Sequence, residues 1–225
     1  MRSRQTPVAW WSATAAVAAP VILAGTATTT RDLYRGIYSP ESQTLSSLAR
    51  RGALDWVMVT GIAGVGACLI VTAAGLYVMR WLPRLVLGLS GFLGLLVAAR
   101  PLLDHETVHI VVTSLGGVGL AAWPALTVLK HPGAPRLCEP RYAFPVSAAT
   151  ATLLLWTGFE LFVGGRMLGL AERITVLSEL AWPAVVVVAA LLQARTEADT
   201  SLPVSGLSCC VQSSRSARLQ ARPQR

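Results

Sequence analysis

Six long apolar stretches, separated by short polar segments, constrain this chain more than any other feature. The hydrocarbon core of a bilayer is roughly 30 Å thick and a helix rises about 1.5 Å per residue, so about 20 apolar residues span it. The windows run from Val8 to Thr28, Leu54 to Met79, Leu85 to Leu103, Val108 to Leu129, Phe144 to Val163 and Ile174 to Ala194. Each has to be helical, because an open strand or loop in lipid leaves backbone groups unpaired. The expected fold is therefore all-α: an integral membrane bundle of about six transmembrane helices within residues 1–194.

Composition points the same way. The chain is 53% hydrophobic and only 13% charged, with a mean hydropathy of +0.56. A soluble domain carries about a quarter charged residues to cover its surface. The first window has a second reading, since Met1-Arg-Ser-Arg before an Ala/Val stretch also fits a signal peptide. Its length and the interrupting Pro20 favour a retained helix.

The net charge is +8, and of the basic residues only Lys130 is not arginine. A basic balance can indicate nucleic acid, but these charges flank apolar windows or lie in the last 30 residues rather than forming one patch. The positive-inside rule accounts for them, so membrane lipid is the expected partner and nucleic acid is not. With both termini cytoplasmic, twelve basic residues fall inside and seven outside. Removing the four tail arginines leaves eight against seven, with Arg50-Arg51 the main opposition. Residues 195–225 turn to Thr/Glu/Asp/Ser/Pro and then Ser/Arg/Gln, which predicts a disordered basic cytoplasmic tail.

The cysteines at 68, 138, 209 and 210 show neither a disulfide framework nor metal-ligand spacing and are read as inert thiols. Small residues recur along three windows: Gly61, Gly64 and Ala67; Gly88, Gly91 and Gly94; Gly116, Gly117 and Gly119. They predict close helix approach, and no strand precedes them, which excludes a nucleotide-binding fingerprint. Ala122-Trp123-Pro124-Ala125 recurs as Ala181-Trp182-Pro183-Ala184, a weak echo between two spans in which each proline should kink its helix.

The first loop reads Tyr38-Ser-Pro-Glu-Ser-Gln43-Thr44-Leu-Ser46-Ser-Leu48-Ala49, before Asp55-Trp56 opens a helix. Ala99-Arg100-Pro101 closes the third window, His109 precedes Trp123-Pro124, and Gly169-Leu-Ala-Glu172-Arg173 leads into Trp182-Pro183. In this order the segments resemble the bacterial membrane family known as domain of unknown function 998, common in actinobacteria, over roughly residues 8–194. The resemblance implies a six-helix membrane protein without an assigned activity.

His105-Glu106-Thr107-Val108-His109 spells the His-Glu-x-x-His pattern of zinc peptidases. On a helix both imidazoles share a face and can bind one metal while the glutamate activates water. A third ligand is needed, and Glu160, Glu172 and Glu179 are the outer-side candidates. The family pattern weighs against this, because only His109 falls at a characteristic position. The preferred reading is an ordinary polar helix entry capped by Asp104 or Thr107. No cofactor is expected; zinc at His105 and His109, with Glu106 as catalytic base, is the weak alternative.

In the chosen topology Arg100, Asp104, Glu106, His109, Glu160, Glu172, Arg173 and Glu179 fall near outer helix ends. Charges at membrane depth are costly unless paired or wet. Inter-helix ion pairing is the first expectation, with Arg100 as the partner of Glu179. The functional expectation is a polar pocket capped by the Gln43-Thr44-Leu45-Ser46 loop that receives a lipid head group or small solute. Its ligand-binding candidates are Gln43, Thr44, Arg100, His109, Glu172, Arg173 and Glu179. A non-enzymatic binding protein heads the functional readings. A zinc-dependent membrane hydrolase and a small transporter stand as alternatives, the transporter disfavoured because no charged residue falls near a window's midpoint. Oligomeric state is left open.

Overall fold

The structure, a computed structural model, describes residues 8–34, 38–48, 55–99 and 106–200, apart from the side chains of Leu48, Glu106 and residues 197–200. Every regular element among them is helical: α1 (Trp10–Leu33), α2 (Leu45–Leu48), α3 (Asp55–Gly75), α4 (Trp81–Ala98), α5 (Glu106–Leu126), α6 (Pro140–Val163) and α7 (Leu168–Thr200). All but the four-residue α2 are long and apolar enough to cross a membrane. The six-span expectation holds.

Helix ends differ from the apolar windows where polar residues join a helix. α7 begins at Leu168, six residues before the window at Ile174, and takes in Glu172 and Arg173. It also runs to Thr200, six residues into the segment expected to be tail. Hydropathy stops at a charge, whereas a helix continues as long as its backbone bonds close. Residues 201–225, the rest of the expected tail, lie outside the described residues. α1 likewise ends at Leu33 rather than Thr28.

The glycines predicted to pack do so, although Ala67 is exposed, and their pairing fixes the direction of each helix. Along α1 and α3, Ser12 meets Gly75, Ile22 meets Gly64 and Thr26 meets Gly61, so the two run antiparallel. Ser12 Oγ also donates to the Thr72 carbonyl at 2.9 Å in a buried site. Between α3 and α4 the closest approach is at Gly66 and Gly91. A Cβ built on either would lie 2.6 Å from the other's carbonyl oxygen, so only glycine fits. α4 meets α5 where Ser90 faces Gly119 and Leu93 faces Gly116. At the far end of this pair, buried Trp123 donates from Nε1 to the Pro83 carbonyl at 2.9 Å. α5 and α6 are joined by Ser147 and Thr150, whose hydroxyls both donate to the Ala121 carbonyl, at 2.7 and 3.1 Å.

Consecutive spans therefore alternate in direction, as short connections across a membrane require. At the end holding the α3–α4 and α5–α6 connections, backbone bonds Arg80 N to Leu129 O (3.1 Å) and His131 N to Val78 O (2.9 Å) tie the two together. Arg84 secures the same end by donating to the Ala73 and Ala74 carbonyls at 2.8 and 2.6 Å, covering the C-terminus of α3. Exposed Trp10, Trp56 and Trp81 stand at helix starts, where an interfacial aromatic belt explains them.

α7 is the most interior span and α6 the most peripheral: 39% of the apolar window of α7 is buried, against 6% for α6. The outward residues of α6 include Leu155, Phe159 and Phe162, a surface suited to lipid. The bundle extends to Leu191; from Leu192 the chain forms a second unit, helical through Thr200.

Candidate functional site

Alternation places the α1–α3 loop, the start of α5 and the start of α7 at one end of the bundle. There, residues 38–45 lie directly on the first turns of α7. Leu170 N donates to the Glu41 carbonyl at 3.0 Å. Gly169 makes the approach possible, because a Cβ on it would lie 2.7 Å from the Pro40 oxygen.

Two charged residues of α7 fasten this loop. The Glu172 carboxylate accepts the Leu45 backbone N–H at 2.6 Å, at the start of α2. Arg173 Nη1 donates to the carbonyls of Pro40 (2.6 Å), Gln43 (3.1 Å) and Gly169 (2.6 Å). Its Nη2 donates to the Tyr38 hydroxyl, and the guanidinium stands 5.5 Å from the centre of the Tyr38 ring. Tyr38 in turn donates to the Gln43 carbonyl at 2.9 Å. Gln43 Oε1 accepts Ser39 N at 3.2 Å, and Thr44 Oγ1 accepts Ser47 N at 3.1 Å, capping α2. Gln43, Thr44, Glu172 and Arg173 thus lie together, and the contacts they make hold the loop down.

At the same end, the α6–α7 turn closes with Gly164 in the left-handed region (φ 63°), which a side chain rarely adopts. The Gly165 N–H returns to the Glu160 carbonyl at 2.8 Å, and the Glu160 carboxylate accepts Met167 N at 3.1 Å. Glu160 therefore serves the turn.

Below the loop, α7 carries a polar seam at helical spacing: Glu172, Thr175, Glu179 and Trp182. Thr175 is buried, and its hydroxyl lies 2.8 Å from that of Thr157 on α6. Glu179 is 3% exposed, and its Oε1 has no hydrogen-bond partner. A Cβ on Gly117 would lie 3.1 Å from Leu154 and 4.0 Å from this oxygen, so Glu179 reaches the junction of α5, α6 and α7. The indole nitrogen of Trp182 is likewise buried without a partner.

The early start of α7 sets how far Glu179 lies from the helix end. It stands eleven residues into the helix, and Gly117 eleven residues into α5, each about 16 Å from the shared end.

Arg100, Asp104 and His105 lie outside the described residues, so the proposed Arg100–Glu179 pair and half of the His-Glu-x-x-His pattern fall there too. Glu106 opens α5, and His109 lies one turn into it, partly buried and engaged in an interaction of its own. Among the described residues no three His, Cys, Asp or Glu side chains are grouped to hold a metal. Thr157, Thr175, Gly117 and Trp182 were not singled out as site residues from sequence; the three- and four-residue spacing of polar groups along α7 was the available signal.

Fold and site together define a multi-pass helical membrane protein with a loop-capped polar seam on its most interior helix. A family model described as "Protein of unknown function (DUF998)" matches residues 16–189, and the chain belongs to that family. No curated protein and no solved structure matches it.

Proposed function

We propose that this chain is a non-enzymatic protein of the cell membrane, with both termini cytoplasmic, that binds a lipid head group or small polar solute at the loop-capped end of α7. The observation that carries the reading is the buried Glu179 oxygen left without a partner beneath the fastened loop. Buried polar atoms in native proteins are nearly always satisfied, so one left open in a sealed seam favours an absent ligand. Gln43, Thr44, Glu172 and Arg173 form the cap, Glu179 is the ligand-facing group, and His109 belongs to the start of α5.

Native mass spectrometry of gently purified protein tests this. A lipid or solute should remain bound to the wild type and be lost from Arg173→Ala, which frees the cap, and from Glu179→Ala. Identical retention in all three overturns the reading. A transporter is the second reading, favoured by the buried carboxyl group of Glu179 on a candidate span. Flux into proteoliposomes that Glu179→Ala abolishes would establish it.

A further inference from the structure

We propose that the α5–α6–α7 junction is a binding site for a small monovalent cation, with Glu179 as its anionic ligand. The inference rests on reading Glu179 as a ligand-facing group, and it names what that group takes. A buried carboxyl group on a membrane span is costly unless its charge is met, and among the described residues no side chain pairs with Glu179. Gly117 faces it from α5 and Leu154 from α6, and neither titrates or carries charge.

Hard cations prefer oxygen donors, and the seam of α7 offers them. Thr157 donates its hydroxyl to the Leu153 carbonyl at 3.1 Å, so in the 2.8 Å pair with Thr175 it is Thr175 that donates. The lone pairs of Thr175 Oγ1 stay open, one turn from Glu179 on the same face of α7. Pro183 has no N–H and so denies the Glu179 carbonyl its helical donor; Pro124 does the same to Leu120 on α5. A single carboxylate balances one positive charge, whereas a divalent ion would remain half-neutralised in lipid. The shared chemistry is one positive charge on carboxylate and hydroxyl oxygen, supplied by sodium or by a proton.

The experiment measures the unfolding midpoint of the full-length protein in lipid nanodiscs. Sodium chloride is titrated against choline chloride at constant ionic strength, at one acidic and one alkaline pH. For a sodium site the midpoint rises with sodium and saturates, and Glu179→Gln loses the shift. For a proton site the midpoint ignores sodium and falls from acidic to alkaline pH in the wild type but not in Glu179→Gln. Thr175→Val, which keeps the carboxylate, should require more sodium for the same shift, and it carries the test if Glu179→Gln does not accumulate. Responses to sodium and pH that are the same in wild type and variants overturn the proposal. Ligand retention in the cap variant Arg173→Ala is a separate readout, so failure of cation binding is distinguishable from failure of the binding function as a whole.

Discussion

The Glu172 carboxylate accepts the backbone N–H of Leu45 at 2.6 Å, joining residues 127 positions apart and holding the first loop against the last span. The donor belongs to the start of a four-residue helix that is too short to stand alone. Glu172→Ala removes the acceptor and should cost about 1 kcal/mol, the usual effect of losing a helix cap. Glu172→Gln keeps a carbonyl oxygen there and should cost less. Hydrogen exchange at the Leu45 amide checks both: protection falls in the alanine variant and largely survives in the glutamine variant.

Arg173 serves the same loop through a different geometry. Its planar fork reaches the carbonyls of Pro40, Gln43 and Gly169 while stacking over Tyr38. A lysine keeps the charge but not the fork. Arg173→Lys should therefore destabilise by about 1.5–3 kcal/mol, the range for a hydrogen bond to a charged group. Limited proteolysis should show faster cleavage within residues 38–48.

The Gly66–Gly91 contact sets the spacing of α3 and α4. Gly91→Val places a side chain against the Gly66 carbonyl and the Leu69 side chain, and overpacking of this kind costs about 1–3 kcal/mol. Gly158→Ala, where nothing lies within 4 Å of the added carbon, should be tolerated. Denaturation of the two variants in mild detergent compares them directly.

The two Trp-Pro pairs differ in what the indole does. Trp123 donates to the Pro83 carbonyl, so Trp123→Phe loses one buried hydrogen bond and should cost about 0.5–1.5 kcal/mol. The Trp182 nitrogen has no partner to lose, so Trp182→Phe should change stability little. Melting curves that rank the variants in the opposite order would refute this assignment.

Burial pushes the Cys138 thiol above its ordinary range, and the Thr127 hydrogen bond and the nearby Lys130 charge only partly oppose this. A raised value means less thiolate at any given pH below it, and the thiolate is the reactive form. Alkylation of the native protein at neutral pH should spare Cys138 and should label it after denaturation. Peptide mapping by mass spectrometry distinguishes the two.

Much of the scaffold was legible in the sequence because a bilayer leaves few choices. A run of apolar residues long enough to cross lipid has to be a helix, and small residues recurring along it let helices approach. Gly61, Gly64, Gly91 and Gly119 all pack as that argument requires. Grouping Gln43, Thr44, Glu172 and Arg173 at one end was also legible, since alternation alone brings the first loop to the start of the last helix. What the sequence could not supply was where α7 begins and what Glu179 meets. Hydropathy placed the helix start after Arg173, when the backbone starts it at Leu168.

The sequence by itself determined that this chain lives in lipid as alternating helices, because peptide groups in hydrocarbon can bond only within their own segment. The tertiary structure decided which helix is interior and which charges are engaged. Glu172 and Arg173 meet loop carbonyls and amides, while Glu179, seven residues on, meets the bare face of Gly117. Partnership depends on what the neighbouring helices present at the same height, and that is a property of packing between segments far apart in the chain.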